Sequence, residues 1–174
     1  VERDGGLDAF DDEFVEGAVK LTKTYVVGNP LDRSTTMGPL AQARFADFIR
    51  EQKAEATRKG ATAHVNMKVD LDKPGSPYMA PEIYTGVDHQ MSLMREESFG
   101  PVVGIMKVRG DEDAIALMND SPYGLTASIW TQDIEHAAAI GARVETGTGS
   151  MNRWDHPEPA PAWLPWIRLP STTT

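Results

Sequence analysis

The stretch Pro101-Val102-Val103-Gly104-Ile105-Met106-Lys107-Val108 is a nearly continuous apolar run of strand length. A run of that kind reads as a strand buried on both faces, which implies a parallel sheet covered by helices. Beyond Val108 the pattern alternates between helix and strand. A helix is expected from about Asp111 to Asn119 with Ala114, Leu117 and Met118 inward, then a strand from Thr126 to Thr131. Another helix is expected from Asp133 to Arg143, carrying Ile134, Ala137 and Ala138 inward, and a last strand near Gly149 to Asn152. The fold class is therefore α/β, a layered domain with a mostly parallel sheet flanked by helices.

The first half is more helical. Phe10, Phe14, Ala18, Leu21 and Tyr25 are spaced by three or four and line one face of a helix from Asp8 to about Tyr25. Pro30 closes that region, because it lacks an amide donor and disfavours helix at Asn29. Residues 28–39 are read as loop, with Ser34, Thr35 and Thr36 beside Asp32 as turn hydroxyls. A second helix, about Ala41 to Arg58, places Ala41, Phe45, Phe48, Ile49 and Ala56 on one side, and Gly60 is its stop. A short strand is expected over Ala61 to Val65, an exposed turn over Lys68 to Ser76, and a strand over Ala80 to Val87 with Pro81 at its start.

Composition narrows the function. A chain of 174 residues is the size of one domain. Its formal charge of −9 repels nucleic acid phosphates and anionic lipid head groups, so neither nucleic acid nor membrane is an expected partner. No apolar run has the length of a membrane span and the first residues do not resemble a signal peptide, which makes the expected location cytoplasmic. There is no cysteine, so no disulfide, Cys-type metal site or thiolate comes from these residues. His64, His89, His136 and His156 are far apart and unpaired with carboxylates at ligand spacing, so no metal site is expected. Glycine-rich phosphate loops and the G-x-S-x-G nucleophile elbow are also missing. From Trp154 onward the chain changes character, with five prolines, three tryptophans and no glycine, and 154–174 is set apart as an atypical tail beyond a domain of residues 1–153.

One stretch has the density of a functional loop. Arg95-Glu96-Glu97-Ser98-Phe99-Gly100-Pro101 puts two carboxylates, an aromatic, a glycine and a proline directly before the apolar run. Two readings stand. The loop is a solvated acidic turn capping a strand, or an edge carboxylate accepts hydrogen bonds from sugar hydroxyls while the Phe99 ring offers a flat apolar surface to a ring ligand.

These residues also form a pattern. Glu96-Glu97-Ser98-Phe99-Gly100-Pro101-Val102 resembles the E-E-x-F-G-P-V signature of the aldehyde dehydrogenase superfamily. Gly28-Asn29-Pro30-Leu31-Asp32 with Met37-Gly38-Pro39-Leu40 resembles its G-[DN]-P-L-D and M-G-P-L segments, and Ala80-Pro81-Glu82-Ile83 its E-P-T-[VI] segment. Asn119 through Ala127 resembles N-x-x-x-Y-G-L-x-A, and Gly147 through Asn152 resembles G-x-[VI]-x-[VIM]-N. The order is the family's order.

The resemblance implies oxidation of an aldehyde to a carboxylic acid with NAD or NADP, through attack of a cysteine thiolate, hydride transfer and hydrolysis of a thioester. It implies that Glu97 holds the nicotinamide ribose hydroxyls, that Phe99 contacts the nicotinamide end of the cofactor, and that Leu125 lies near the same pocket. Asn152 is implied to steady a loop. The segment corresponds to the family's catalytic domain from just after the nucleophilic cysteine, so the expectation is a fragment with no catalytic residue of its own, inactive alone. Its partners would be an aldehyde substrate and other subunits, as a homo-oligomer or in association with full-length chains. The alternative is a non-catalytic assembly module that pairs with full-length subunits. A standalone weak nucleotide binder using Glu97 and Phe99 is a third reading. Departures from the family pattern occur at Asp4 to Asp8, where Asp4-Gly5-Gly6 is turn-like, and near Trp154, where a reading-frame shift or foreign ending is expected.

Overall fold

The computed structural model describes residues 6–152, with side chains from Asp12 onward. Expectations for residues 1–5, for the Phe10 side chain and for the tail 154–174 lie outside what is described. The chain divides between Lys107 and Val108 into two compact units.

The first unit begins with α1 (Gly6–Thr22). Its less exposed positions are Val15, Ala18, Val19 and Thr22. Phe14 and Leu21 are 59% and 66% exposed, and Tyr25, beyond the helix end, is exposed too. The expected apolar face is thus exposed, and the neighbouring positions Val15, Ala18, Val19 and Thr22 are only partly covered. The loop after α1 is organised by its own side chains. Asp32 accepts hydrogen bonds from the Ser34 amide and hydroxyl, and Thr36 Oγ1 accepts one from the Val26 amide.

Helix α2 (Ala43–Arg58) buries Ala46, Ile49, Gln52 and Ala56. That is a regular stripe at spacings of three, three and four. Phe45 and Phe48, expected inward, are 37% and 43% exposed, because they flank this stripe. The Phe45 ring instead lies under the Arg44 guanidinium, 5.0 Å from its centroid. Lys59 caps the helix and Gly60, at φ +101°, turns the chain in the left-handed region that glycine tolerates.

Strands β1 (Thr62–Ala63), β2 (Glu82–Thr85) and β3 (Val102–Gly104) form a sheet in that order, with β1 antiparallel and β3 parallel to β2. The register pairs Thr62 with Thr85 and Glu82 with Val102. The central strand is the buried one, with Glu82, Ile83 and Tyr84 all covered. Strand β3 lies at the edge of its sheet, with Val102 packed into the core and Val103 51% exposed. The apolar run is not buried on both faces: two-residue alternation turns Val102 to the covered face of the sheet and Val103 to the open one.

Glu82 is the one charged residue among the buried ones described in the sheet, and it is only 7% exposed. Its carboxylate accepts amide hydrogen bonds from His64 (3.1 Å), Val65 (2.6 Å), Asn66 (3.0 Å) and Ile83 (3.1 Å). Four peptide dipoles thereby compensate a buried charge and fold residues 64–66 back over β2. The 68–76 segment is tied down as well, since Arg50 reaches Asp47, Asp72 and the carbonyls of Ser76 and Tyr78.

The second unit holds α4 (Asp111–Asn119), β4 (Thr126–Ile129), α5 (Ile134–Gly141) and β5 (Thr148–Met151); a single turn, α3 (Ser92–Arg95), belongs to the first. Strands β4 and β5 pair in parallel across α5, from Thr126 opposite Thr148 to Ile129 opposite Met151. Asp133 caps α5 by accepting the His136 amide. Ile115 and Ala137 are the buried side chains of the two helices, while Met118 and Ile134, expected inward, are 39% and 49% exposed. Arg143 binds both oxygens of Glu112 and so holds that carboxyl below its ordinary range, and His136 pairs with Asp111 at 2.6 Å. Both bonds join α5 and the residues after it to α4. Parallel pairing within α/β units is the expected class.

The core of the first unit is small enough for one side chain to matter. Ile49 has no exposed surface and packs with Ala46 and Met79. Ile49→Ala is expected to lower stability by about 2–5 kcal/mol, measured as the shift in urea unfolding followed by circular dichroism; a change within error would show that the α2 stripe does not carry the core.

Candidate functional site

The loop Glu96–Gly100 owes its shape to α2. Ile49, Gln52, Glu55 and Lys59 recur at three- and four-residue spacing and meet the segment 90–100 in reverse order. Lys59 Nζ donates to the Gln90 carbonyl and pairs with Glu55 Oε1 at 2.5 Å. Glu55 Oε2 accepts the Ser92 amide (2.8 Å) and hydroxyl (2.7 Å) at the start of α3. Gln52 Oε1 accepts the Ser98 hydroxyl at 2.8 Å. Ile49 sits where Gly100 approaches so closely that a Cβ there would stand 2.3 Å from Ile49 Cδ1. A larger residue at position 100 would require Ile49, the loop or both to shift.

Between those holds, Glu96, Glu97 and Phe99 are exposed. Glu97 is exposed, and its carboxylate makes no hydrogen bond or ion pair with the described residues. Phe99 is 76% exposed and has φ +40°, a left-handed conformation that is an outlier for a bulky residue. An exposed phenyl ring on strained backbone costs free energy twice over, once in hydration and once in conformation.

Leu125, in the second unit, is likewise an exposed apolar side chain, on backbone held by hydrogen bonds. Its side chain is 82% exposed, while its carbonyl accepts the Thr148 amide at 3.0 Å and the Gly124 carbonyl accepts the Gly147 amide at 2.7 Å. Gly124 is required there, because a Cβ would lie 2.6 Å from the Glu145 carbonyl oxygen. Asn119 ties the same turn by accepting the Glu145 amide and donating to the Arg143 carbonyl. Asn152, at φ +53°, holds the Thr131 backbone through both ends of its amide, each at 2.8 Å. Its part is structural within the described residues.

Glu97 and Phe99 thus stand on one loop, separated by one inward residue, and Leu125 belongs to the other unit. The sequence motif singled out all three. Gln52 it did not: a glutamine in a helix reads as surface, although its place between Ile49 and Ala56 on the buried stripe was the available signal. His64 bonds Thr85 Oγ1 and His136 bonds Asp111, and among the described residues no three histidine or carboxylate side chains converge as a metal would need. No helix of the described residues is long and apolar enough to cross a membrane.

Comparison with known proteins adds to this geometry. Residues 8–164 match the aldehyde dehydrogenase family, a match that runs past Arg153 into the segment read as an atypical tail. The chain is 33% identical to the geranial dehydrogenase of Castellaniella defragrans, over 81% of this chain and 29% of that protein. It is 34% identical to the NADP-dependent succinate-semialdehyde dehydrogenase of Deinococcus radiodurans, over 92% of this chain and 32% of that one. Among solved structures, succinic semialdehyde dehydrogenase from Streptococcus pyogenes, in complex with NADP+, superimposes with a TM-score of 0.76 at 36% identity, covering 86% of this chain and 32% of its own. An aldehyde dehydrogenase of Mycobacterium tuberculosis complexed with NAD+ gives 0.75 at 31% identity, covering 83% and 30%. The chain belongs to the aldehyde dehydrogenase family and spans 29% to 32% of the length of these relatives.

The Lys59 ammonium, followed by the Ser92 hydroxyl and amide, holds Glu55 down at about 2 from an ordinary value of 4.5. A carboxyl depressed in the folded state stabilises fully above its unfolded value and loses that contribution as pH falls through the folded one. The window is therefore roughly pH 4.5 down to 2. Glu55→Gln is expected to be less stable at neutral pH and to lose less stability across that window, as read from urea midpoints at a series of pH values; parallel acid limbs for the two proteins would refute the assignment.

Proposed function

We propose that this chain supplies the nicotinamide-facing part of the catalytic domain of an NAD(P)-dependent aldehyde dehydrogenase, with residues 1–153 belonging to that domain. Glu97 accepts hydrogen bonds from the nicotinamide ribose hydroxyls, and Phe99 lays its ring against the nicotinamide end. The supporting observation is the loop itself: its backbone is held by α2 at Ser98 and Gly100 while an unengaged carboxylate and a strained, exposed ring face outward. A carboxylate with free acceptor positions suits a pair of hydroxyls, and an aromatic face suits a flat heterocycle. NAD(P)+, when bound, supplies the hydride acceptor for oxidation of an aldehyde to an acid. These 174 residues contain no cysteine, so the thiolate on which the family's covalent route depends does not come from them. No reduced nicotinamide is expected when this chain alone meets NAD(P)+ and aldehydes.

The test of the loop is binding rather than turnover. Nicotinamide mononucleotide titrated to millimolar concentration should shift backbone NMR resonances of residues 96–100, and Glu97→Gln should remove the effect while leaving the spectrum otherwise intact. Shifts that ignore the substitution, or none in the unsubstituted chain, would sink the proposal.

The exposed Phe14 and Leu21 on α1 favour a second reading, a non-catalytic module that pairs with full-length family subunits. Mixed with a full-length relative, the chain should then co-sediment, and Phe14→Ser with Leu21→Ser should abolish it. Independent sedimentation of the unsubstituted chain would dismiss the module.

A further inference from the structure

We infer that Gln52 is a positioning residue for the cofactor-facing loop, acting through Ser98 to force Phe99 into its left-handed conformation and its ring outward. The inference depends on the loop reading above for its purpose but on separate contacts for its geometry. Gln52 is 2% exposed, in a stripe otherwise made of Ala46, Ile49 and Ala56. A buried amide is destabilising unless both of its ends find partners. Both do. Nε2 approaches the Ser92 carbonyl oxygen at 3.4 Å and Oε1 lies 2.8 Å from Ser98 Oγ. The amide cannot be reversed, because that would set its oxygen against the Ser92 carbonyl, acceptor against acceptor. Ser98 must then donate its proton to Gln52.

That direction matters because of where Ser98 stands. Glu96 leaves α3 extended, at φ −106° and ψ 145°, and in extended chain successive side chains alternate in direction. Pinning Ser98 inward therefore sends Glu97 outward. Two residues further on, Gly100 is seated against Ile49, one helical turn before Gln52 on the same stripe of α2. The chain is thus held by a hydrogen bond at Ser98 and confined sterically by Ile49 at Gly100, and Phe99 spans the two. It does so at φ +40°. The outlier has a mechanical cause: two anchors on one helix face, with the strain placed on the residue between them. Releasing the Ser98 anchor frees Phe99 to return to ordinary backbone geometry, which would draw the ring away from the position it now presents. Glu55 and Lys59 secure the beginning of the segment, at Gln90 and Ser92, and have no contact with Ser98 that would substitute.

The experiment compares the 174-residue chain with Ser98→Ala, Gln52→Leu and Ser98→Thr, which keeps the hydroxyl. Backbone relaxation and three-bond couplings at Phe99 report its order and its φ, and titration with nicotinamide mononucleotide reports binding. The Phe99 amide should have an order parameter of about 0.85 in the unsubstituted chain and fall below about 0.6 in Ser98→Ala, with restoration in Ser98→Thr and no change at residues 126–129. Binding should weaken about tenfold as the competent conformer becomes a minor population. If Phe99 keeps its order and its φ in Ser98→Ala, the inference fails, even where Gln52→Leu is too unstable to examine. If Phe99 loosens as expected but mononucleotide never binds the unsubstituted chain, the positioning role stands and the cofactor reading falls. If binding occurs and is equal in all four proteins with Phe99 unmoved, the cofactor reading stands and the positioning role falls.

Discussion

The first unit depends on the contact between one face of α2 and the segment 90–100. Ile49, Gln52, Glu55 and Lys59 meet Gly100, Ser98, Ser92 and Gln90 in turn. The helix is rigid and its repeat is fixed, so it acts as a straightedge along which an irregular segment is laid. The same helix uses Arg50, beside Ile49, to hold the 72–78 segment through Asp72 and two carbonyls. With the loop fixed at its start and end, the entry of β3 into the sheet is fixed too, and Glu82 donates its amide to the Pro101 carbonyl at the point where the two strands begin to pair.

Polar groups set much of this arrangement. Gln52 and Glu82 are buried: the Gln52 amide has a partner at each end, and the Glu82 carboxylate is met by four backbone amides rather than by one opposite charge. Such groups add less net stability than an apolar side chain of the same size, but they admit one arrangement of their surroundings, because any other leaves a buried acceptor or donor unmet. The loop that carries Glu97 and Phe99 and the return over β2 are both defined in this way. Precision in the outward side chains follows from satisfaction of the inward ones.

Much of the element order was legible. The helix over Asp111–Asn119 came with its observed bounds, and α2 and the strands over 82–85 and 126–129 fall within the expected ranges. Periodicity was less reliable about faces. Phe14, Phe45, Phe48, Met118 and Ile134 are exposed, although each sits at a spacing suited to a core. The physical reason is common to them: each helix has apolar residues over more than one stripe, and the stripe that turns inward is chosen by what it packs against. Small residues such as Ala46, Ala56 and Ala137 allow close approach and were chosen over the larger ones beside them. The apolar run 101–108 misled in the same manner, since its length speaks of a strand but not of what covers its outer face.

The sequence by itself determined the family, through six short motifs in order, and with it the identity of Glu97, Phe99 and Leu125 as residues of interest, because motif residues are tied to local backbone needs such as the close approaches at Gly100 and Gly124. Only the tertiary structure decided that Ser98 turns in while its two neighbours turn out. That choice is made by Gln52, which stands 46 positions away along the chain. A hydrogen bond between residues so distant leaves no local periodicity, and its existence depends on the shared burial that folding alone produces.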